Sequence, residues 1–221
     1  MKSHFQSLVK DQGDRPTCVA FAVGSLHEYW IDISSASRVE ISIDLSEEFL
    51  FFMSKRRDGL GHSGGTTLAA AKSALAADGH CLEALYPYQM QVGPSAAPSS
   101  RAITDGKQRK LDILSQLKTE EAVLEESLRK GLPVVGVVEL FRGAFRPLHG
   151  GELPLPSSGE RPIGKHAILL VGSERSSHRT NFVFLNSWGA SWGDGGFGRL
   201  NSEYFARYCS QLWSIEKSGR N

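Results

Sequence analysis

The sequence is poor in cysteine. It has three, Cys18, Cys81 and Cys209, among 221 residues. The number is odd and no two stand as C-x-x-C, which argues against a disulfide framework and against a structural zinc site. Free thiols of this kind fit a reducing compartment. Net charge is almost absent too, at +1, which argues against nucleic acid or an anionic membrane as a bulk electrostatic partner. No apolar run approaches membrane-spanning length. Met1-Lys2-Ser3-His4-Phe5-Gln6 lacks the apolar stretch of a signal peptide. What the chain does have is a hydrophobic content of 40%, enough for a substantial core in one large domain or two small ones.

Patterning changes along the chain. Residues 1–11 read as a short extended arm. Val19, Ala20, Val23, Leu26, Tyr29 and Trp30 recur at helical spacing from Thr17 to about Ile31. Leu45–Phe52 reads as a helix start, with Ser46 as cap and Glu47 and Glu48 at its positive end. An Ala-rich helix is predicted from Thr66 to Ala77, stopped by Asp78-Gly79. Residues 92–106 carry the composition of an exposed linker. Beyond it, a capped helix over Thr119–Lys130 leads into strands at Pro133–Leu140, Ala167–Ser173, Asn181–Asn186, Gly196–Leu200 and Gln211–Ile215. The proline- and glycine-rich stretch 142–164 is predicted as a long loop, either a gate over a site or a mobile insertion.

Cys18 begins a predicted helix, where unpaired backbone N–H groups favour a thiolate. A free thiol taken alone is more often a buried core residue. A cysteine nucleophile needs a base and a group to orient that base, which may lie far away in sequence. Among seven histidines, His4, His27, His62, His80 and His178 stand in polar or turn-like contexts expected at the surface, and His149, before a glycine pair, is the one serious competitor as base. His166 heads an apolar strand that would fix its direction. Asn186, in Asn186-Ser187-Trp188-Gly189, is placed to hold the imidazole, with Trp188 shielding that hydrogen bond. The bland reading of 186–198 is a tight turn with core aromatics.

Together these segments, Gln12–Phe21, Lys165–Gly172 and Phe184–Gly198, resemble the papain family of cysteine peptidases. Leu45-Ser46-Glu47-Glu48 is similar to the family's Leu-Ser-Glu-Gln, Gly64-Gly65 to its glycine pair beside the cleft, and Tyr86-Pro87-Tyr88 to its Tyr-Pro-Tyr. The resemblance implies an α+β papain-like fold: an N-terminal arm (1–11), a helical left domain (12–106) and a β-barrel right domain (107–221), with the active site between the two domains. It implies Cys18 as nucleophile, His166 as base then acid, Asn186 as orienter, and Gln12 as side-chain donor to the oxyanion. It further implies Gly64, Gly65, Thr66, Thr67 and Trp188 as substrate-binding residues, with Ala69 and Ala70 near an aliphatic-preferring wall. No metal and no organic cofactor is implied.

The chain departs from the family at the nucleophile. Arg15-Pro16-Thr17-Cys18-Val19 stands where Cys-Gly-Ser-Cys-Trp is usual, and His62 stands where the disulfide partner of that first cysteine would be. Met53 replaces another expected cysteine. Only eleven residues precede Gln12, so no inhibitory propeptide is expected. These departures fit a bacterial, cytoplasmic enzyme. The activity implied is endoproteolysis of protein or peptide substrates, with a separate protein inhibitor or activator as a further partner and neither nucleic acid nor membrane. Two alternatives stay open: acyl transfer or deamidation on the same triad, and a non-catalytic peptide-binding domain.

Overall fold

A computed structural model describes residues 2–34, 43–61, 64–91, 96–175 and 179–215. The chain folds into two compact units. One comprises Gln12–Leu114 and is helical; the other comprises the residues up to Asp11 together with Ser115–Ile215 and is built on a sheet. Residues 107–114, expected in the second domain, therefore go with the helical unit.

In the helical unit, α1 (Cys18–Ser34) packs against α2 (Glu47–Lys55) and α3 (Leu68–Ala77). Val19 through Glu28 are all buried, so α1 is the central helix of this unit rather than an amphipathic cover. Ser46 caps α2 as expected, accepting from the Phe49 N–H at 3.0 Å. Thr67 caps α3 by accepting from the Ala70 N–H. α3 ends at Gly79, whose φ of 74° and a carbonyl of Gly106 crowding its Cα leave no room for a Cβ; only glycine serves there. The expected linker is not one. Residues 92–95 lie outside the described residues, but Ser99 caps a helix α4 (Ser100–Gly106) with Ala102 and Gly106 buried. Serine and glycine, read there as loop formers, act as cap and close-packing residue instead.

In the sheet unit, residues Lys2–Leu8 form a 3-10 helix, not an extended arm. The strands are β1 (Leu114–Leu117), β2 (Val134–Leu140), β3 (Gly164–Arg175), β4 (Thr180–Leu185), β5 (Phe197–Asn201) and β6 (Cys209–Ile215), ordered β1-β6-β2-β3-β4-β5. The ladders from β6 through β5 are antiparallel. Two helices, α5 (Glu121–Arg129) and α6 (Ser202–Tyr208), pack against the sheet. The cap expected at Thr119 is absent: position N-cap falls on Glu120, which makes no side-chain cap bond. Val134, Val138, Ile168, Leu170, Phe182, Phe184 and Leu212 alternate along their strands and meet Leu124, Leu128, Tyr204 and Phe205 of the helices in one core.

The stretch 142–164 is more than a loop. It holds two 3-10 helices, Arg142–Phe145 and His149–Gly151. Ala144 and Leu153 are buried, the Ala144 carbonyl accepts from Trp192 Nε1 at 3.0 Å, and the Leu153 N–H donates to Arg199 O at 2.7 Å. The first half is therefore anchored to the core, and 155 and 157–163 form its largely exposed second half.

Candidate functional site

The candidate residues divide between the two units. His166, Asn186 and Trp188 belong to the sheet unit. His166 is the third residue of β3, on the same side of the strand as Ile168 and Leu170 of the core. β4 runs antiparallel to β3 with Leu185 opposite Leu169, so Asn186, one residue past the end of β4, arrives near the start of β3. His166 Nε2 and Asn186 Oδ1 are 2.8 Å apart, both residues being buried.

The orientation of this pair follows from its third member. The Ser187 backbone N–H donates to Asn186 Oδ1 at 2.9 Å. A backbone N–H can only donate, so the oxygen of the Asn186 amide is fixed at that position. The histidine nitrogen facing that oxygen must then carry a proton. Neutral His166 is the Nε2–H tautomer, and Nδ1 is the nitrogen with basic character. Trp188 covers this pair, its ring centroid 4.7 Å from that of His166 with 30° between the planes. Phe145 stacks on Trp188 in turn, at 5.2 Å and 19°. The Asn-Ser-Trp-Gly turn is held by the N-terminal segment: Asp11 bridges Trp188, and the Gly189 N–H donates to Lys10 O at 3.0 Å. Gly189 sits beside the Asp11 carboxylate at φ 74°, a left-handed conformation that glycine adopts without strain.

Gln12, Cys18 and residues 64–67 belong to the helical unit. Cys18 is the first residue of α1 and is partly exposed. The Thr17 carbonyl accepts from the N–H groups of Ala20 and Phe21, so the first turn of α1 opens at Cys18. Gln12 is buried, and its Nε2 donates to Arg15 O at 2.6 Å. A primary amide has two N–H donors, and this bond orients the group. The other cysteines are poor nucleophiles: burial pushes the thiols of both Cys81 and Cys209 up to about 12.

Residues around the glycine pair differ in exposure and in their partners. Gly64 is exposed at φ 84°. The Gly65 carbonyl already accepts from Lys55 Nζ at 3.0 Å. Thr66 is half-buried, and the Thr67 hydroxyl is engaged as the α3 cap. Of the two alanines expected nearby, Ala70 is buried within the unit and Ala69 is exposed beside Thr67. A surface depression of about 650 Å³, lined by Leu82, Leu85, Arg101, Thr104 and Asp105, contains none of the candidate residues.

Two histidine expectations need correction. His27 and His80 are both buried, their Nδ1 atoms 3.3 Å apart. The polar residues flanking His27 are themselves buried, Ser25 and Glu28 among them. His149 is exposed. His62 and His178 lie outside the described residues, as does the side chain of His4. Sequence reasoning also passed over Arg15, inside the Gln12–Cys18 segment, and Glu48 and Tyr88, which bond to that segment. The available signal was a pair of family departures of opposite charge, Arg15 for cysteine and Glu48 for glutamine.

Comparison with known proteins bears on this arrangement. The family described as papain family cysteine protease matches residues 2–212. A cysteine proteinase 2 of Leishmania pifanoi is 31% identical over 200 residues, covering 87% of this chain and 41% of that protein. A viral cathepsin of Heliothis zea nuclear polyhedrosis virus is 28% identical over 195 residues, covering 87% of this chain and 48% of that one. The chain thus spans about half the length of the curated relatives it matches. Among solved structures, xylellain, a cysteine protease from Xylella fastidiosa, superposes with a TM-score of 0.83 at 22% identity, over 96% of this chain and 83% of that one. The Carica candamarcensis cysteine protease CMS1MS2, solved in complex with E-64, gives 0.69 at 24% identity, over 96% and 93%.

Proposed function

Because this chain belongs to the papain family of cysteine proteases, we propose that it is an endopeptidase in which Cys18 acts with His166, Asn186 and Gln12 on peptide bonds of protein substrates. The observation that carries the reading is the His166–Asn186–Ser187 arrangement. A backbone donor fixes the asparagine, the asparagine fixes the imidazole tautomer, and Nδ1 is thereby reserved for proton exchange. A binding module has no use for such a tautomer lock.

In the proposed reaction, His166 Nδ1 takes the Cys18 proton and the thiolate sulfur attacks the scissile carbonyl carbon. The Gln12 amide and the Cys18 backbone N–H receive the developing oxyanion. Imidazolium Nδ1–H protonates the departing amine as the C–N bond breaks, leaving a thioester on Cys18. Water, deprotonated by His166, then releases the acid and restores the thiol. Gln12 is suited to its part because its amide is already held by Arg15 O and needs little reorganisation.

E-64, found in complex with the Carica enzyme, supplies the test. Incubation with E-64 followed by peptide mass spectrometry should place one adduct on Cys18, with loss of peptide hydrolysis in step. An adduct on Cys81 or Cys209 would overturn the nucleophile assignment. Hydrolysis assayed with an added amine separates endoproteolysis from acyl transfer by product mass.

A further inference from the structure

The segment that carries Gln12 and Cys18 is tied down by a buried ion pair. Arg15 is 5% exposed and Glu48, on α2, is 0% exposed. Arg15 Nη2 donates to Glu48 Oε1 at 2.9 Å, and Nη1 donates to Glu48 Oε2 and to Gln89 O. The guanidinium also lies 4.9 Å from the Tyr88 ring centroid and 5.5 Å from that of Phe51. Burial works against the Arg15 charge, but the hydrogen bonds and the charge of Glu48 prevail and raise its pKa.

The backbone of the same residue faces the other way. The Arg15 carbonyl accepts from Gln12 Nε2 at 2.6 Å and from the Thr17 N–H at 2.8 Å. Tyr88 closes the loop: its hydroxyl donates to Gln12 O at 2.8 Å, so the Thr17 hydroxyl, 2.7 Å away, must donate to Tyr88. Bonds from Gln12, Arg15 and Thr17 thus converge on three residues outside the segment, Glu48, Tyr88 and Gln89.

We propose that Arg15 is a positioning residue, and that the Arg15–Glu48–Tyr88 network is a brace that sets the Gln12 amide and the first turn of α1 at Cys18. The inference rests on the peptidase reading above and adds residues to it. A buried ion pair contributes little net stability compared with apolar residues of the same volume. What it supplies is geometry: a planar fork accepts only one approach of the carboxylate. A brace of this kind should act on the transition state, where the oxyanion donor is used, and leave ground-state binding alone.

The decisive comparison is between wild type and the double variant Arg15→Met/Glu48→Leu, which removes the fork and keeps apolar volume. Expected are a thermal midpoint near wild type and a kcat lowered by about tenfold or more with KM changed by less than about twofold. E-64 labelling at Cys18 should slow in parallel, and amide hydrogen exchange across 13–17 should quicken. A merely structural role predicts activity that follows stability, so a double variant with wild-type midpoint and wild-type kcat overturns the proposal. Should that variant fail to fold, Arg15→Lys decides: it keeps the charge but not the fork, and wild-type kcat in it overturns the proposal. If the wild-type protein hydrolyses no peptide, the peptidase reading falls. The brace is then judged by exchange at 13–17 and by the labelling rate, and unchanged values in the double variant would sink it.

Discussion

Acidification from about pH 7.5 to about pH 5 should cost the helical unit about 2 kcal/mol through His27 alone. His27 is 2% exposed, and burial, aided by the positive charge of Arg109, lowers its pKa from 6.5 to about 4. Its hydrogen bond to His80 is one that the neutral ring makes. His80 Nε2 lies 3.0 Å from Ser46 O; a carbonyl only accepts, so that nitrogen carries a proton, and in neutral His80 Nδ1 is the acceptor for His27 Nδ1–H. Glu47 Oε1 and the His80 ring both lie against Gly24, and Glu28 is fully buried. The folded state holds His27 neutral, whereas the unfolded chain takes up a proton below about 6.5. Stability is therefore complete above the unfolded pKa and is lost as pH falls from 6.5 toward 4, reaching about 3 kcal/mol below that. Urea denaturation followed by circular dichroism at both pH values, in wild type and in His27→Gln, isolates the effect, because carboxylate contributions are common to both proteins. The variant starts less stable but should lose about 2 kcal/mol less on acidification. An equal loss in both proteins would refute the reasoning.

Asn186→Ala strips the acceptor from both His166 Nε2–H and the Ser187 N–H, and should lower kcat by about a hundredfold by misorienting the imidazole; activity within twofold of wild type would remove Asn186 from the site. His166→Ala should be as inactive as Cys18→Ala, and the double variant no worse, since the pair acts as a unit; additive losses in steady-state rates would argue otherwise. His149→Ala should match wild type in kcat/KM, the side chain being exposed. Replacing 144–160 by a short Gly-Ser link removes Leu153 and the carbonyl that satisfies Trp192 Nε1, and should cost about 3 kcal/mol or more. Trimming 157–161 alone should cost under about 1 kcal/mol, so equal midpoints for the two deletions would contradict the anchoring of 142–153.

The sequence carried the parts of this molecule that local rules determine. Ser46 before two glutamates specifies a helix start without help from the rest of the fold, and Asn-Ser-Trp-Gly after an apolar strand specifies its turn. Burial that depends on partners elsewhere in the chain was not legible in this way. His27 and His80 read as surface residues because their neighbours in sequence are polar. His27 is interior because α1, buried along ten consecutive residues, leaves no side of the helix for water, and His80, just past α3, stacks on His27. The stretch at 92–106 misled for the complementary reason: Ser99 and Gly106 are loop formers in isolation, but a capped helix when Asp105 can accept from the Leu82 N–H and pair with Arg109. The segment 142–153 likewise reads as loop by composition and is fixed by the Trp192 indole N–H, the Leu153–Arg199 backbone bond and buried Ala144 and Leu153. Arg15 joins both lessons. Read as a departure from Cys-Gly-Ser-Cys-Trp, it marks only something missing. Set beside Glu48 across 33 residues, it marks a substitution of one kind of restraint for another, a directional ionic fork where a covalent bridge is usual. A disulfide acts chiefly on the unfolded chain, whereas a fork acts on the folded geometry. The consequence falls on the transition state more than on stability, and kcat rather than the thermal midpoint is where this chain should reveal it.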